Sequence, residues 1–407
     1  MTDPQGVLLV LGSGYQQFRE YLIASASQRS EIWLFDSEEP TWQTPHLAGS
    51  TVLDIFDPET VARAARELAA RRPVRGVYCY HEASILAAAR AAAELGVPGP
   101  TPQAVAAVRD KSVTRELLTQ AGIRQPVVAL VTSPEEIEDV ARRVGYPLVL
   151  KPRSMGASQG VVKVSAREDI APALEITRSA GQAGMVNHAE VLVEEFLTGP
   201  EISVDAAVFE GEYLPYLIAR KQLGSEPYFE EVGHTVHADD PLFADEELWK
   251  MLAETHRALG WTHGMTHTEV KLTPDGYVVV EVNGRLGGDL IPYLGRIATG
   301  VDSGLVQADV SFGSRPDLTR SRNSAAAIRF LCPPSNCTVT RLEMPGADPE
   351  AGLYESVALA GPGTRMLMPP DGYFARYGFL IARADSPQEC QAVLDRAEAG
   401  VVFEYEL

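Results

Sequence analysis

The sequence of 407 residues predicts an α/β protein (α+β over its whole length) that begins with a Rossmann-like domain. In the first hundred residues, short apolar runs alternate with amphipathic stretches, which is typical of βαβ units around a parallel sheet. The chain is also too long for one compact core and has room for two or three domains. Its composition, 45% hydrophobic and 22% charged residues, is that of an ordinary globular protein and excludes the disordered and fibrous classes.

Three buried strands and one helix are predicted in the N-terminal part. The first strand, Val7–Leu11, ends in a Gly-Ser-Gly turn at residues 12–14; further strands follow at 32–35 and 74–80, the last of them before a helix at 83–95. The turn has the first glycines of a dinucleotide-binding motif, but the third glycine is absent at its required spacing. We therefore interpret it as a tight turn that lets a helix pack on the sheet.

Beyond residue 100 the succession of helices and strands changes. Ser133 and Glu136 form a predicted capping box with proline at the first helical position, and Gly145 ends that helix. Ser386 caps a helix near the C-terminus in the same way. Further strands are predicted at 148–151, 161–164, 191–195, 202–209 and 213–221, a helix at 246–259, and a hairpin at 265–283.

The net charge and the cysteine positions exclude several classes of binding partner and of structural site. The net charge of −20 argues against nucleic acid or an anionic membrane, because either needs a basic surface. No apolar run is long enough to span a bilayer, and the first residues lack the basic and apolar regions of a signal peptide. The four cysteines are scattered without a CxxC pair, so we expect neither a disulfide framework nor structural zinc. These features predict a cytoplasmic protein, and a homodimer is compatible with them.

The hairpin is the strongest functional signal. Its strands flank a Pro-Asp-Gly loop at residues 274–276, which suits a type I turn closed by a G1 bulge and pairs Thr273 with Tyr277. That register sets Glu269 directly opposite Glu281. Alternation along the strands then places these residues on one face: His267, Glu269, Lys271, Glu281, Asn283 and Arg285. The opposite face, formed by Val270, Val280 and Val282, is then the core.

Two carboxylates that face each other across a ladder repel, and this arrangement needs a reason. A hard divalent cation between Glu269 and Glu281 supplies one, with Asn283 as a neutral oxygen ligand. Magnesium fits best, because it prefers one or two carboxylates together with phosphate oxygens and water. The alternative is a solvated hairpin face that carries unrelated charges.

Two linking segments add candidate binding residues. A loop of small residues at 152–161 (the glycine loop) joins two strands. Its backbone amides and the hydroxyls of Ser154 and Ser158 are suited to binding a phosphate chain. Lys151 at the preceding strand end adds a point charge, whereas the absence of a Gly-Lys-Ser/Thr helix start excludes a Walker A motif. A flexible turn is the alternative. The acidic link at 194–201 is either a hinge around a base and ribose or a solvated interdomain connection.

Together these residues resemble the ATP-grasp superfamily, most clearly over residues 109–285 and more loosely over the whole chain. The resemblance implies four parts: a Rossmann-like domain at 1–105, an ATP-grasp small lobe at 106–195, a large lobe at 196–315 and a small β-rich C-terminal cap at 316–407. It also implies ATP as cofactor with two Mg²⁺ ions, for which Mn²⁺ can substitute. The implied ATP-binding residues are Lys111 and Lys151 for phosphates, Ser154 and Ser158 in the glycine loop, Glu194, Glu195, Phe196 and Leu197 around adenine, and Glu201 for ribose. The implied metal ligands are Glu269, Glu281 and Asn283.

Within the superfamily the chain is most similar to the L-amino acid ligases, with carnosine-synthase-like enzymes nearby. The segments that carry this similarity are 229–234, 267–272 and 283–288. It implies that Arg285 and the amides of Gly287 and Gly288 stabilise the acyl phosphate and the oxyanion. The implied substrate-binding residues are Glu82, His234, His267, Lys271 and Arg285. His234 and His267 are candidate bases or structural histidines, and Lys271 either orients phosphate or neutralises the paired glutamates.

The expected activity is therefore the ATP-dependent joining of a carboxylate to an amine through an acyl phosphate, with release of ADP and phosphate. Small molecules, an acid and an amine, are the expected partners, and amino acids are the expected class. The alternatives are an ATP-grasp ligase of purine or carrier-bound acyl substrates, a kinase that stops at phosphoryl transfer, and a non-catalytic ATP-binding protein.

Overall fold

The computed structural model describes residues 6–181, 183–186, 188–224, 226–372 and 375–407. Its strands are β1 (Val7–Leu11), β2 (Glu31–Asp36), β3 (Leu47–Val52), β4 (Val74–Cys79), β5 (Val128–Val131), β6 (Leu148–Pro152), β7 (Val162–Val164), β8 (Val191–Glu195), β9 (Glu201–Phe209), β10 (Glu212–Leu223), β11 (Glu231–His237), β12 (Gly264–Thr273), β13 (Gly276–Asn283), β14 (Ala325–Leu331), β15 (Cys337–Glu343), β16 (Leu353–Ala358), β17 (Arg365–Met366), β18 (Gly378–Ala384) and β19 (Val402–Glu406).

The helices alternate with these strands in the N-terminal part and become sparser afterwards. They are α1 (Gln16–Ala26), α2 (Pro58–Ala69), α3 (Ile85–Leu95), α4 (Pro102–Arg109), α5 (Lys111–Gln120), α6 (Pro134–Val144), α7 (Ile170–Ser179), α8 (Glu246–Ala258), α9 (Ile291–Thr299), α10 (Ser303–Ser311) and α11 (Pro387–Glu398). In the part of the chain that the structure describes, no helix is both long and apolar enough to cross a bilayer. The mixed α/β class is confirmed.

The N-terminal sheet is parallel, with the strand order β3-β2-β1-β4. All five residues of β1 are buried, which explains why an unbroken apolar run predicted this strand. Gly12 has a φ of 69°, and the neighbouring Ser13 donates from its amide and its hydroxyl to Asp36 at 2.9 and 2.5 Å. The turn is therefore tied to the end of β2 within the protein.

The predicted small lobe is an antiparallel sheet with the strand order β5-β8-β6-β7. Helices α6 and α7 pack on it around a separate apolar cluster that includes Ile137 and Leu174. The capping box of Ser133 and Glu136 is present at the start of α6, and the equivalent box starts α11. This lobe therefore has a core of its own.

The third sheet has eight strands in the order β13-β12-β9-β10-β11-β14-β18-β16. Strand β11 of the predicted large lobe pairs with β14, which lies beyond the predicted boundary at residues 315 and 316. The C-terminal segment thus extends the large-lobe sheet and does not start a separate one there. Only β15, β17 and β19 form a further small sheet in the described C-terminal residues. The sequence could not show this continuity, because strand order is set by long-range pairing.

Candidate active site

A cleft of about 1320 Å³, part of it open to solvent, is lined by the small-lobe sheet and the eight-stranded sheet. The sequence-predicted residues that line it are Lys111, Lys151, Ser158, Glu195, Phe196, Leu197, Glu201, His267, Glu269, Lys271, Glu281, Asn283, Arg285 and Gly288. Five charged residues that were not predicted also line it: Lys221, Glu230, Glu231, Asp289 and Arg376. The structure thus brings the proposed phosphate, metal and acyl groups into one cleft.

The β12–β13 hairpin has the predicted pair of facing glutamates but not the predicted turn. Glu269 does lie opposite Glu281. Thr273, however, pairs with Gly276 and not with Tyr277, and a bulge between Glu269 and Val270 restores the register. The bulge places Val280 outside the ladder and against the cleft, so its predicted place on the core face is wrong.

A buried arginine holds this bulge. Arg115, on α5, donates to the carbonyl oxygens of Val279 and Val280 at 2.8 and 2.7 Å. Its guanidinium also donates to both carboxylate oxygens of Glu194 at 2.8 and 3.2 Å. The bulge that sets the register of the hairpin is therefore fixed by a residue about 160 positions away in the chain.

Lysines already neutralise the facing carboxylates. Lys111 Nζ lies 3.1 Å from Glu281 Oε1, and Lys221 Nζ lies 3.0 Å from Glu269 Oε2. The prediction that Lys271 neutralises this pair is wrong, because its ammonium contacts Glu201 at 3.1 Å. The alternation rule placed Lys271 on the correct face but could not say which acid it reaches.

Lys151, the lysine of β6 that was predicted to bind phosphate, is part of a buried charge cluster. Lys151 Nζ lies 2.6 Å from Glu194 Oε2, with Arg115 on the other side of that carboxylate. Burial raises the pKa of Glu194, but Arg115 and Lys151 outweigh it and bring this pKa to about 2. Burial lowers the pKa of Lys151, and Glu194 opposes that shift. The Glu194 side chain therefore anchors Lys151, while the strand end around it faces the cleft.

The glycine loop is bound to Lys111, the other lysine that was predicted to bind phosphate. Lys111 Nζ donates to the Met155 carbonyl at 2.5 Å, and its backbone amide donates to Arg153 O at 3.0 Å. Ala157 and Ser158 have positive φ values of 56° and 55°, a conformation that costs energy in non-glycine residues. Ser154, predicted to bind phosphate, is buried beside this stretch.

His267 is held by a fully buried aspartate. Its Nδ1 lies 2.6 Å from Asp205 Oδ1, and its Nε2 lies 3.7 Å from Glu269. Burial lowers the pKa of His267, but Asp205 and Glu269 more than compensate and raise it to about 9. The ring therefore carries its proton at neutral pH, which argues against a role as a base. Asp205 also accepts from the Gly287 amide at 3.2 Å, so the predicted oxyanion role of this amide conflicts with the geometry.

The end of the cleft around Arg285 (the acyl end) joins four segments that are distant in the sequence. Arg285 Nε donates to Glu82 Oε2 of the N-terminal domain at 2.7 Å. Asp289, with φ 49°, accepts from both Nη atoms of Arg376 at 2.7 and 2.8 Å. His234 Nε2 lies 3.3 Å from Glu231 and 3.6 Å from Asp289. Burial lowers the pKa of His234, and these two carboxylates outweigh burial and raise it.

Comparison with known proteins identifies the family. A model described as "ATP-grasp domain" matches residues 144–293, and one described as "ATP-grasp N-terminal domain" matches residues 31–99. The chain is an ATP-grasp protein. The first match contains the glycine loop, the hairpin and Arg285. The second match contains strand β4 and Glu82, which follows that strand.

Curated relatives of this ATP-grasp protein include ligases. Alanine–anticapsin ligase of Bacillus subtilis (strain 168) is 29% identical over 264 residues, 58% of this chain and 54% of the relative. D-alanine–D-alanine ligase of Ectopseudomonas mendocina (strain ymp) is 30% identical over 212 residues, 49% of this chain and 63% of the relative. The chain thus spans 54% of the length of the first relative and 63% of the length of the second.

A solved structure shares the fold over the complete chain. The crystal structure of L-amino acid ligase from Bacillus licheniformis matches with a TM-score of 0.81 and 21% identity, covering 100% of both chains. Phosphoribosylglycinamide synthetase from Anaerococcus prevotii matches with a TM-score of 0.74 and 16% identity over 99% and 100% of the two chains. The architecture of this ATP-grasp protein is therefore that of the L-amino acid ligase from the N-terminal sheet to the C-terminal strands.

Proposed function

We propose that this ATP-grasp protein is an ATP-dependent ligase that forms an amide bond between a carboxylate and an amine through an acyl phosphate. One observation carries the proposal: two phosphate-type lysines, two facing carboxylates and an arginine line a single cleft.

The donor set of the hairpin fits the implied metal. Glu269, Glu281 and Asn283 offer hard oxygen atoms, which Mg²⁺ prefers. Each of the two carboxylates already pairs with the ammonium group of a lysine, Glu281 with Lys111 and Glu269 with Lys221. We propose that these residues hold two Mg²⁺ ions, with Mn²⁺ as a substitute. When bound, the metal withdraws negative charge from the phosphate oxygens during phosphoryl transfer.

The residues of the chain have distinct tasks in the proposed reaction. Lys111 and Lys151 hold the phosphates as fixed positive charges while the substrate carboxylate oxygen attacks the γ-phosphorus and the bond to ADP breaks. The amine nitrogen then attacks the acyl carbon, phosphate leaves, and the amine proton passes to a basic group or to water. Arg285, oriented by Glu82 and aided by the Gly288 amide, stabilises the oxyanion. The glycine loop excludes water meanwhile.

Amino acids are the proposed substrate class. The end of the cleft beside Arg285 is lined by charged groups, among them Glu231, Asp289 and Arg376. Half-buried charged groups favour a zwitterionic ligand that can pair with them and disfavour a long apolar acyl chain. The names of the relatives, which include alanine–anticapsin ligase and D-alanine–D-alanine ligase, support the same class.

The decisive experiment measures phosphate release from ATP across a matrix of amino acids and simple amines, with mass spectrometry of the products. Carboxylate oxygen label should appear in the released phosphate, and hydroxylamine should intercept the acyl phosphate as a hydroxamate. A hydroxyl-directed kinase would transfer no label, and a binding protein would release no phosphate. Amide formation without label in phosphate would refute the acyl-phosphate route.

A further inference from the structure

One lysine of the cleft contacts three carboxylates that lie on three different strands. Lys221 Nζ, on β10, lies 2.7 Å from Glu201 Oε1 and 3.0 Å from Glu269 Oε2, and it also contacts Glu231 Oε1. Its side chain is only 3% exposed. An ammonium group has three hydrogens to donate, so each of them is matched by one acid.

The three acids belong to different parts of the proposed site. Glu201 is the proposed ribose residue, Glu269 is a proposed metal ligand, and Glu231 lies at the acyl end beside His234. Glu201 has a second cation, Lys271, at 3.1 Å. Among the described residues, Lys221 is the only lysine or arginine that pairs with Glu269 or Glu231.

We propose that Lys221 is a positioning residue that sets the cation affinity of Glu269 and links it to the charge of Glu231. This inference rests on the proposed function and adds a coupling between the metal and acyl ends of the cleft. A cation at Glu269 must compete with the Lys221 ammonium, which repels it. When Glu231 loses its charge, only Glu201 and Glu269 still attract the Lys221 ammonium. Lys221 therefore pairs more strongly with Glu269.

Direct Mn²⁺ binding to the 407-residue chain, measured by electron paramagnetic resonance without nucleotide, tests the proposal independently of turnover. Lys221→Met should tighten Mn²⁺ binding at least about tenfold, since one unit charge a few ångströms from a cation is worth more than that at an effective dielectric constant of about 20. Lys221→Arg, which keeps the charge, should bind Mn²⁺ within about threefold of the original protein.

Lys271→Met is the matched control, because it removes a lysine that lines the same cleft and pairs with Glu201 but not with Glu269. Its effect on Mn²⁺ affinity should be at least about threefold smaller than that of Lys221→Met. A purely structural lysine would give weaker or unchanged Mn²⁺ binding on removal, and either result for Lys221→Met overturns the proposal.

A second pair keeps the test valid if Lys221→Met does not fold. Glu231→Gln should weaken Mn²⁺ binding at least about threefold, whereas Glu230→Gln should not, because Glu230 lines the same cleft without an ion pair among the described residues. Equal effects of the two changes would overturn the coupling.

The failure of this inference and the failure of the proposed function can be told apart. If no variant binds Mn²⁺ while amides still form with Mg²⁺, the inference fails and the proposed function stands. If Mn²⁺ binding behaves as expected but no amide forms, the inference stands and the proposed function fails.

Discussion

Replacement of Arg115 by methionine should destabilise the protein through the buried cluster that it completes. Its side chain is 4% exposed and Glu194 is 7% exposed, so the pair is shielded from water. Removing one partner of a buried ion pair costs about 3–5 kcal/mol, because the other charge stays buried. Lys151 remains 2.6 Å from Glu194 and offsets part of this. The carbonyls of Val279 and Val280 lose their donor, which adds about 1 kcal/mol each.

We therefore expect the free energy of unfolding to fall by about 3–5 kcal/mol, measured by urea denaturation followed by circular dichroism. Arg124→Met is the control, because Arg124 binds Asp275 in the turn of the same hairpin but is 45% exposed. An exposed pair is worth about 0–1 kcal/mol. A loss for Arg115→Met of less than about 1 kcal/mol, or a loss equal to that of the control, would refute the reasoning.

The same cluster predicts a pH dependence. The pKa of Glu194 lies at about 2 in the folded protein, below its ordinary value of 4.5, so it contributes stability above pH 4.5 that is lost as the pH falls towards 2. Arg115→Met should reduce this acid-dependent part of the stability. Unfolding measured between pH 7 and pH 3 checks this, and an unchanged slope would show that Arg115 is not what lowers this pKa.

Three further predictions concern the cleft. Glu281→Gln should abolish phosphate release while the fold is kept, because it removes the carboxylate charge of a proposed metal ligand but keeps the side-chain volume. Near-normal release at limiting Mg²⁺ would contradict the metal assignment. Arg285→Lys should lose most amide synthesis, since an ammonium cannot hold two oxygens as a guanidinium does; retention would exclude Arg285 from the transition state. Asp205→Asn should lower the pKa of His267 from about 9 towards or below 6.5, as followed by NMR of the ring protons.

Local patterns predicted the pieces of the site, and long-range contacts decided their details. The facing pair of Glu269 and Glu281 was predicted from a three-residue loop and strand alternation, both of which are local. The observed turn is one residue shorter, and the bulge brings the same two residues opposite each other. The bulge depends on Arg115, which lies far away in the chain, so the predicted turn was one residue too long. Lys221 gave no signal, because its acids lie on three strands whose order the sequence does not reveal.

The N-terminal part shows the same division. Strands β1, β2 and β4 are apolar runs and were predicted close to their observed bounds. Strand β3, Leu47–Val52, was missed because its four middle residues are small or polar and most of the strand is half-buried at the sheet edge. Hydrophobic periodicity detects buried strands, and an edge strand of this kind carries little of it.

The continuous eight-stranded sheet limits how the protein can be shortened or divided. A version ending at residue 315 would remove β14, β18 and β16 and leave β11, Glu231–His237, with unpaired backbone groups along one side. Such a bare edge invites association with other chains. The small lobe, by contrast, has its own sheet and core, so it is the unit suited to exchange between related proteins. Chimeras of this protein should therefore be cut at the borders of the small lobe, with the large lobe and C-terminal strands kept as one piece.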